Sequence, residues 1–276
     1  MKLILVEGIP GSGKTTTARF VCDWLEAHGR RPALFLEGDW QHPADFESVA
    51  CLDERAYAAL LDRFPGQAAF LAEHARREDD VWFFSYRKLH HEHGERMPDA
   101  LCETLARFEI YDLPAEKHQR LLLQRWRNFA ARAVSEEFVY VFECCFLQNP
   151  LTTLLARHDL PVETVYQHVL TLAEIVRPLQ PKLIYLAQTD VRATLETIRQ
   201  QRPQEWADFV TWYLTGQAYG KAHGLSGFDG VADFYTMRQA LELEFLHALP
   251  VTSIVLPDSD DWGARCRRLT AWLEED

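Results

Sequence analysis

The sequence lacks features that would indicate a membrane-bound or secreted protein. No stretch approaches the roughly 20 consecutive apolar residues that a membrane-spanning helix needs, and the longest apolar block, 138–147, is interrupted by Glu143. The apolar run at 3–6 is too short for a signal peptide. The six cysteines show no C-x-x-C spacing. We therefore expect reduced thiols in a cytoplasmic protein that does not bind a membrane.

Positive charge is also scarce in this sequence. The 276 residues include 29 Lys and Arg against 41 Asp and Glu, a formal net charge of −12 with neutral histidines. Because non-specific binding to nucleic acid depends on clustered cations, this balance argues against a nucleic-acid partner. A small phosphorylated ligand needs only one local positive pocket and is not excluded. Apolar residues make up 47% and charged residues 25% of the chain, which excludes a disordered protein.

Short apolar runs predict the strands of a parallel sheet. These runs are nearly continuous rather than alternating, as expected for strands that are covered on both faces. Segments with helical patterning lie between them, so the sequence predicts a doubly wound α/β sheet. The predicted strands are 3–6, 33–36, 138–142, 183–186 and 253–256.

The connection between the second and third predicted strands, 37–137, is much longer than a simple crossover. It is rich in helix-forming, charged and aromatic residues. We expect a helical insertion over 45–130, on the substrate side of a single domain that spans 1–276. The aromatic and cationic residues at 82–88 and 125–127 indicate either a wall for a polar ligand or core aromatics between solvated arginines.

The most specific motif is Gly8-Ile9-Pro10-Gly11-Ser12-Gly13-Lys14-Thr15. It fits G-x-x-x-x-G-K-[ST], the Walker A phosphate loop, and it lies between an apolar strand and a helical pattern. Its glycines allow successive N–H groups to point at phosphate oxygens, and the following helix adds its positive end. The motif predicts a nucleotide-binding protein.

Three residues at the start of that helix have expected roles. Lys14 should reach the β- and γ-phosphates and should be solvated while the loop is empty, Thr15 should bind Mg²⁺, and Thr16 should contact the α-phosphate. The absence of an N-K-x-D motif favours ATP over GTP. The predicted ATP-binding residues are Gly8, Pro10, Gly11, Ser12, Gly13, Lys14, Thr15 and Thr16.

The third predicted strand ends in an acid, Glu143, which is the Walker B pattern with Glu in place of the more usual Asp. An acid at this position can act in catalysis and as a magnesium ligand by orienting a metal-bound water or the nucleophile. The alternative is an acid that merely ends a strand.

With these two motifs the sequence resembles the P-loop kinase superfamily, in particular thymidylate-kinase-like and chloramphenicol-phosphotransferase-like proteins. The resemblance implies a three-layer P-loop NTPase fold with a five-stranded parallel sheet of order 2-3-1-4-5, and an enzyme that uses ATP and Mg²⁺. The segment 143–150 departs from this pattern, because it lacks the Asp-Arg-Tyr-like signature of thymidylate kinases. The Glu-Arg-Ser arrangement of deoxynucleoside kinases is also missing, so a nucleotide acceptor does not follow.

The resemblance also implies a lid after the fourth strand, whose arginines clamp the phosphates. Arg199 and Arg202 match the lid arginines, with Arg192 as a second candidate for nucleotide binding. Since Arg199 and Arg202 are three residues apart, we expect them to share one face of a helix. The alternative is a surface helix with solvated arginines. The lid and an irregular segment together span 190–230, and the glycines of 206–230 predict a mobile loop or a packed connection.

Two acids follow the second strand, Glu37 and Asp39, with Gly38 between them. The resemblance implies that an acid here accepts the proton of the acceptor hydroxyl or orients it. We favour Asp39 as this catalytic base and keep Glu37 as the alternative; Asp39 can instead cap the next helix. The predicted activity is transfer of the γ-phosphate to a hydroxyl of a small-molecule acceptor. A nucleotide kinase and a non-catalytic ATP- or GTP-dependent regulator are the alternatives. The oligomeric state stays open, a homodimer included.

Overall fold

The structure is a computed structural model that describes residues 1–78 and 80–275. The chain divides into two compact units. We call Met1–Glu37 together with Trp126–Asp276 the parallel-sheet unit, and Gly38–Arg125 the inserted unit.

The elements are numbered in chain order. The strands are β1 Leu3–Gly8, β2 Arg31–Phe35, β3 Val49–Asp53, β4 Arg76–Glu78, β5 Val81–Ser85, β6 Phe138–Glu143, β7 Lys182–Ala187 and β8 Thr252–Pro257. The helices are α1 Lys14–Ala27, α2 Glu54–Arg63, α3 Ala68–His74, α4 Tyr86–His93, α5 Asp99–Ala106, α6 Ala115–Ala133, α7 Gln148–Leu151, α8 Val162–Val176, α9 Val191–Gln201, α10 Gln204–Gly216, α11 Ala218–Ala222, α12 Gly227–Ala248 and α13 Trp262–Glu274. A π-helical segment, Thr152–Arg157, follows α7 directly.

The parallel-sheet unit contains the predicted fold. Its five-stranded sheet has the order β2-β6-β1-β7-β8, and every neighbouring pair is parallel. Counted alone, these strands have the order 2-3-1-4-5, so the expected P-loop NTPase fold is confirmed. Each predicted strand is present, with ends that differ by one or two residues. The carboxyl ends of β1 and β6 lie side by side, with Val6 paired to Glu143.

Helices cover both faces of this sheet, whose strand interiors are mostly apolar on both sides. On one face, α1 and α13 pack on β1 through a buried cluster that includes Ile4, Val6, Val21, Leu25 and Leu269. On the other face, the ring of Phe142 contacts Trp126 and Phe129 near the end of α6. Each large apolar side chain buried in this way contributes roughly 1.5–3 kcal/mol to stability.

The inserted unit differs from the expected helical insertion. It contains a three-stranded antiparallel sheet of order β3-β5-β4 as well as helices α2–α5 and the start of α6. The expected helical insertion therefore has its helices, but the prediction missed the antiparallel sheet. These strands are short, and β3 pairs with a strand about thirty residues further along the chain, so the local sequence does not show their pairing. Their core includes Ala50, Leu52, Phe84, Leu101 and Leu105.

The glycine-rich segment 206–230 is mostly helical, because it forms most of α10, all of α11 and the start of α12. A close backbone contact explains why one residue of this segment, Gly220, is a glycine. A Cβ atom at this position would lie 2.4 Å from the carbonyl oxygen of Leu214, so a side chain would prevent the close approach of α10 and α11. Within the described part of the chain, no helix combines the length and hydrophobicity required to span a bilayer.

Candidate functional site

The phosphate loop joins β1 to α1 and needs glycine at two positions. Gly8 has φ +148°, and a Cβ there would lie 2.8 Å from the carbonyl oxygen of Leu186. Gly11 has φ +82°, and a Cβ there would lie 2.3 Å from Cγ1 of Ile198 in α9. No side chain caps α1 at Gly13. The N–H groups of its first turn are therefore available to an anion, which the helix dipole also favours.

Lys14 lies inside the loop rather than in solvent. Its side chain is buried, and its Nζ donates hydrogen bonds to the carbonyl oxygens of Gly8, at 3.1 Å, and Ile9, at 2.9 Å. The expectation of a solvated lysine is therefore wrong. The carbonyl groups of a tight loop converge on its interior, and the ammonium group satisfies them there.

The remaining loop side chains fit a phosphate ligand. The Ser12 hydroxyl is buried and has no hydrogen-bond partner among the described residues. An unpaired buried hydroxyl is destabilising, and a phosphate oxygen would satisfy it. Pro10 is half-buried in the loop, whereas Thr15 and Thr16 are exposed on the first turn of α1. These residues can therefore accommodate the phosphates of a nucleotide.

Thr15 and Glu143 are in direct contact. The Thr15 hydroxyl donates a hydrogen bond of 2.8 Å to Oε1 of Glu143, which is 4% exposed. The other carboxylate oxygen, Oε2, lies 3.5 Å from the backbone N–H of Glu37. A hydroxyl and a carboxylate oxygen side by side are the ligand types that Mg²⁺ takes beside substrate phosphates. The two predicted metal ligands thus lie together and fit that ion.

Glu37 belongs to the same cluster. Its carboxylate accepts a hydrogen bond of 2.9 Å from Nε2 of Gln148 and one of 3.5 Å from Sγ of Cys144. Glu37, Glu143 and Cys144 each place a potential ligand atom within 4.8 Å of the others. Glu37 is exposed while Glu143 is buried. The carboxylate of Glu37 is therefore the one of these three groups that is accessible from solvent.

Cys144 occupies a strained position in this cluster. Its φ is +70°, a left-handed conformation that is uncommon for residues other than glycine. Burial raises the pKa of its thiol well above the ordinary value, and the carboxylates nearby act in the same direction. The thiol is consequently neutral, which is unfavourable for a nucleophile.

Asp39 lies in the inserted unit and makes a local contact. Its Oδ1 accepts a hydrogen bond of 2.8 Å from the backbone N–H of Gln41, two residues further on, which is an Asx turn. His42, in the same turn, is buried, and burial lowers its pKa to about 4. The residue three positions after Asp39 is thus a neutral histidine.

Within the inserted unit, two residues of the predicted aromatic and cationic wall, Trp82 and Arg125, contact other side chains of the protein. Trp82 stacks on Tyr57, with ring centroids 4.9 Å apart. The Arg125 guanidinium lies 4.6 Å from the ring centroid of Phe46 and donates a hydrogen bond of 2.6 Å to the carbonyl oxygen of His42. These contacts favour the core interpretation for Trp82, whereas Arg125 is engaged by the protein and is not the solvated arginine that this interpretation expected.

A buried acid beneath the loop was not predicted. Glu7, fully buried at the end of β1, accepts hydrogen bonds from the backbone N–H groups of Phe146, at 2.8 Å, and Gln148, at 3.0 Å. Burial raises its pKa to about 7, and the Glu242 carboxylate adds to this rise. Glu7 holds the segment that presents Gln148 to Glu37. The signal available in the sequence was a charged residue within an apolar strand.

A second unpredicted group is Arg238 of α12. Its guanidinium is fully buried, donates to the carbonyl oxygen of Gly8 at 3.3 Å and to the Thr152 hydroxyl at 2.9 Å, and pairs with Glu242 at 3.1 Å. Glu242 also accepts a hydrogen bond of 2.6 Å from Tyr185 of β7. This network connects α12 to the first residue of the loop. The one indication of this ion pair in the sequence is that Arg238 and Glu242 are four residues apart, a spacing that places them on one face of a helix.

The predicted lid arginines are not equivalent. Arg192 pairs with Asp229 and, at 2.9 Å, with Asp233 of α12. Arg199 lies over the ring of Phe228, 4.7 Å from its centroid, and pairs with Glu196 at 3.5 Å. These two side chains therefore face α12 in this structure.

Arg202 lies beyond the end of α9. The helix stops at Gln201, and Arg202 has φ −94° and ψ 155°, an extended conformation. The expectation that Arg199 and Arg202 share a helical face is therefore wrong. The N–H of Arg202 still donates to the carbonyl oxygen of Ile198, the residue whose side chain lies against Gly11. The guanidinium of Arg202 lies over the ring of Trp206, 5.8 Å from its centroid.

Comparisons with known proteins do not assign a family. No protein-family model matches the chain, and no curated protein does. One similar solved structure is a thymidylate kinase from Candida albicans, at 12% identity and a TM-score of 0.43, with 99% of this chain and 91% of that chain covered. A likeness this distant carries no argument about function. The fold assignment depends on the sheet order and the phosphate loop.

Proposed function

We propose that the protein is an ATP- and Mg²⁺-dependent phosphotransferase that transfers the γ-phosphate of ATP to a hydroxyl of a small molecule. The observation that supports this most directly is the contact between Thr15 and Glu143 at the start of α1. It joins the Walker A motif to an acid at the end of the neighbouring strand, which is the arrangement that phosphoryl transfer requires.

Each residue of the site has a role in this proposal. The loop N–H groups and the Ser12 hydroxyl bind phosphate oxygens, and Lys14 exchanges its two carbonyl contacts for the transferring phosphate. Thr15 and Glu143 hold the magnesium ion, which neutralises phosphate charge when it is bound. We assign Arg202 rather than Arg199 to closure over the phosphates. Arg199 already lies over Phe228 and pairs with Glu196, whereas Arg202 has a looser contact, 5.8 Å from the ring centroid of Trp206.

Glu37 is the acid that best suits the acceptor in this proposal. It lies beside Glu143 and is exposed, and Gln148 holds one of its oxygens in place. Such a carboxylate can accept a hydrogen bond from a hydroxyl and orient it for in-line transfer. Asp39 remains the competing candidate.

A screen for acceptor-dependent release of ADP tests this function. Purified protein with ATP and Mg²⁺ is mixed with nucleosides, nucleotides, sugars, and aminoglycoside-like or amphenicol-like antibiotics. We expect turnover with one acceptor class in wild type and none in the Lys14→Ala variant. Transfer only to nucleoside monophosphates would show that the acceptor group is a phosphate rather than a hydroxyl. Slow hydrolysis that no acceptor stimulates would contradict the proposal and favour a regulatory protein.

A further inference from the structure

Arg265 places a positive charge at the start of α1. It is the fourth residue of α13, the helix that follows β8. Its Nη1 lies 3.9 Å from the position that a Cβ atom would occupy on Gly13. Gly13 is the residue immediately before α1 and the third glycine of the phosphate loop. The guanidinium group is therefore adjacent to the loop, although it is remote from it in sequence.

The guanidinium of Arg265 is only weakly engaged by the described part of the protein. Its Nε is buried and has no hydrogen-bond partner, and it makes no ion pair within the described part of the chain. Asp258 interacts with it electrostatically, but the pKa of Asp258 is lowered mainly by a hydrogen bond from Thr189 and less by Arg265. One turn further along α13, Arg268 behaves differently, because it pairs with Asp260 at 2.5 Å.

This location is electrostatically unfavourable without a ligand. The amino end of a helix carries a partial positive charge, and a cation beside it is repelled. Neither an acid in the first turn of α1 nor a capping side chain at Gly13 offsets that repulsion. An anion bound at Gly13 would interact favourably with the helix and with the guanidinium at once.

From this arrangement we infer that Arg265 is a further phosphate-binding residue, which contacts the phosphate groups of the nucleotide at Gly13. The inference rests on the proposed function, since it assumes a nucleotide in the loop. It adds a contact from α13, outside the Walker A, Walker B and lid segments.

Calorimetric titration of three proteins with four ligands tests this inference. The proteins are wild type, Arg265→Gln and the control Arg267→Gln, an exposed arginine two residues further along α13. The ligands are ATP, ADP, tripolyphosphate and adenosine. We expect Arg265→Gln to lower the affinity for ATP, ADP and tripolyphosphate by about 10- to 100-fold, the range for a hydrogen bond to a charged group. The affinity for adenosine should not change. The control should bind all four ligands as wild type does.

A second variant separates a lost contact from a damaged fold. Arg265→Lys keeps the charge and should restore part of the affinity for tripolyphosphate, while thermal melting reports whether each variant is folded. Unchanged tripolyphosphate binding in a folded Arg265→Gln protein would overturn the inference. So would an equal loss for adenosine, because that would indicate a contact to the base or ribose. A wild-type protein that binds tripolyphosphate but not ATP would overturn the proposed function and leave the phosphate contact standing.

Discussion

Thr15 and Glu143, which are 128 positions apart in the chain, are joined by a hydrogen bond of 2.8 Å. The bond connects the first turn of α1 to the end of β6. Each residue alone has an ordinary structural explanation, since a threonine can begin a helix and an acid can end a strand. Their contact makes a shared role the better explanation, and a substitution can test it.

Replacement of Glu143 by Gln should lower kcat while ATP affinity stays within a few-fold of wild type. The amide removes a negative charge from the proposed metal site and leaves the shape of the side chain nearly unchanged. Initial rates measured over a series of Mg²⁺ concentrations should show a higher requirement for the ion. Glu137→Gln, at an exposed position, is the matched control. A wild-type kcat for Glu143→Gln would return this residue to a purely structural role.

Replacement of Lys14 by Ala should lower turnover by about 10²-fold or more, because the variant loses a charged contact to the transferring phosphate. A smaller loss of stability should accompany it. The Ile9 carbonyl loses its lysine donor, and a net hydrogen bond contributes about 1 kcal/mol, which shifts Tm by roughly 2–4 °C in a chain of this size. Lys221→Ala, an exposed position on α11, serves as the control in both assays. Near-normal turnover would contradict the assignment of the phosphate loop.

Glu37→Gln should lose most acceptor-dependent transfer, and Asp39→Asn should lose less. Glu37 lies in the cluster with Glu143, whereas Asp39 accepts its hydrogen bond from a neighbouring N–H group in a turn. Both variants should bind ATP normally, which calorimetry can establish. Rates with one common acceptor decide between them. The reverse order would identify Asp39 as the base, and full activity in both would place the acceptor elsewhere.

Arg202→Ala should reduce kcat more than Arg199→Ala does, and neither should weaken ATP binding strongly, because lid contacts matter most in the transition state. Arg199 is already engaged with Phe228 and Glu196, so its loss should mainly lower Tm. Steady-state kinetics and thermal melting of the two variants give the comparison. Equal losses of kcat would mean that α9 rearranges to bring both groups to the phosphates.

Glu7 should make the protein less stable as the pH rises. Its pKa is about 7 in the folded protein against an ordinary value of 4.5, so folding favours the protonated form. Its contribution is complete below pH 4.5 and is lost as the pH rises through 7, with a size of about 3 kcal/mol. Urea denaturation at pH 5 and pH 8 should show a larger fall in the free energy of unfolding for wild type than for Glu7→Gln. Equal pH dependence in both proteins would contradict this.

The sequence predicted the parallel sheet because its strands are buried on both faces and read as continuous apolar runs. It did not predict β3–β5, since an antiparallel pair such as Cys51 and Phe83 depends on a partner distant in the chain. The phosphate loop was identified because its residue types are fixed by local backbone geometry. Arg238 and Arg265 were missed for the opposite reason, because their positions depend on how α12 and α13 pack.

The Gly8 carbonyl accepts hydrogen bonds from two cations, Lys14 and Arg238. When Lys14 turns towards a phosphate, Arg238 remains, so this carbonyl is never left without a donor. Under the proposed function, the first residue of the loop can then keep its conformation when a phosphate binds. We therefore expect the backbone amides at the carboxyl end of β1 to exchange hydrogen slowly, and at a rate that nucleotide does not change. The adjacent side chain of Lys14, in contrast, is expected to change its contacts when nucleotide binds.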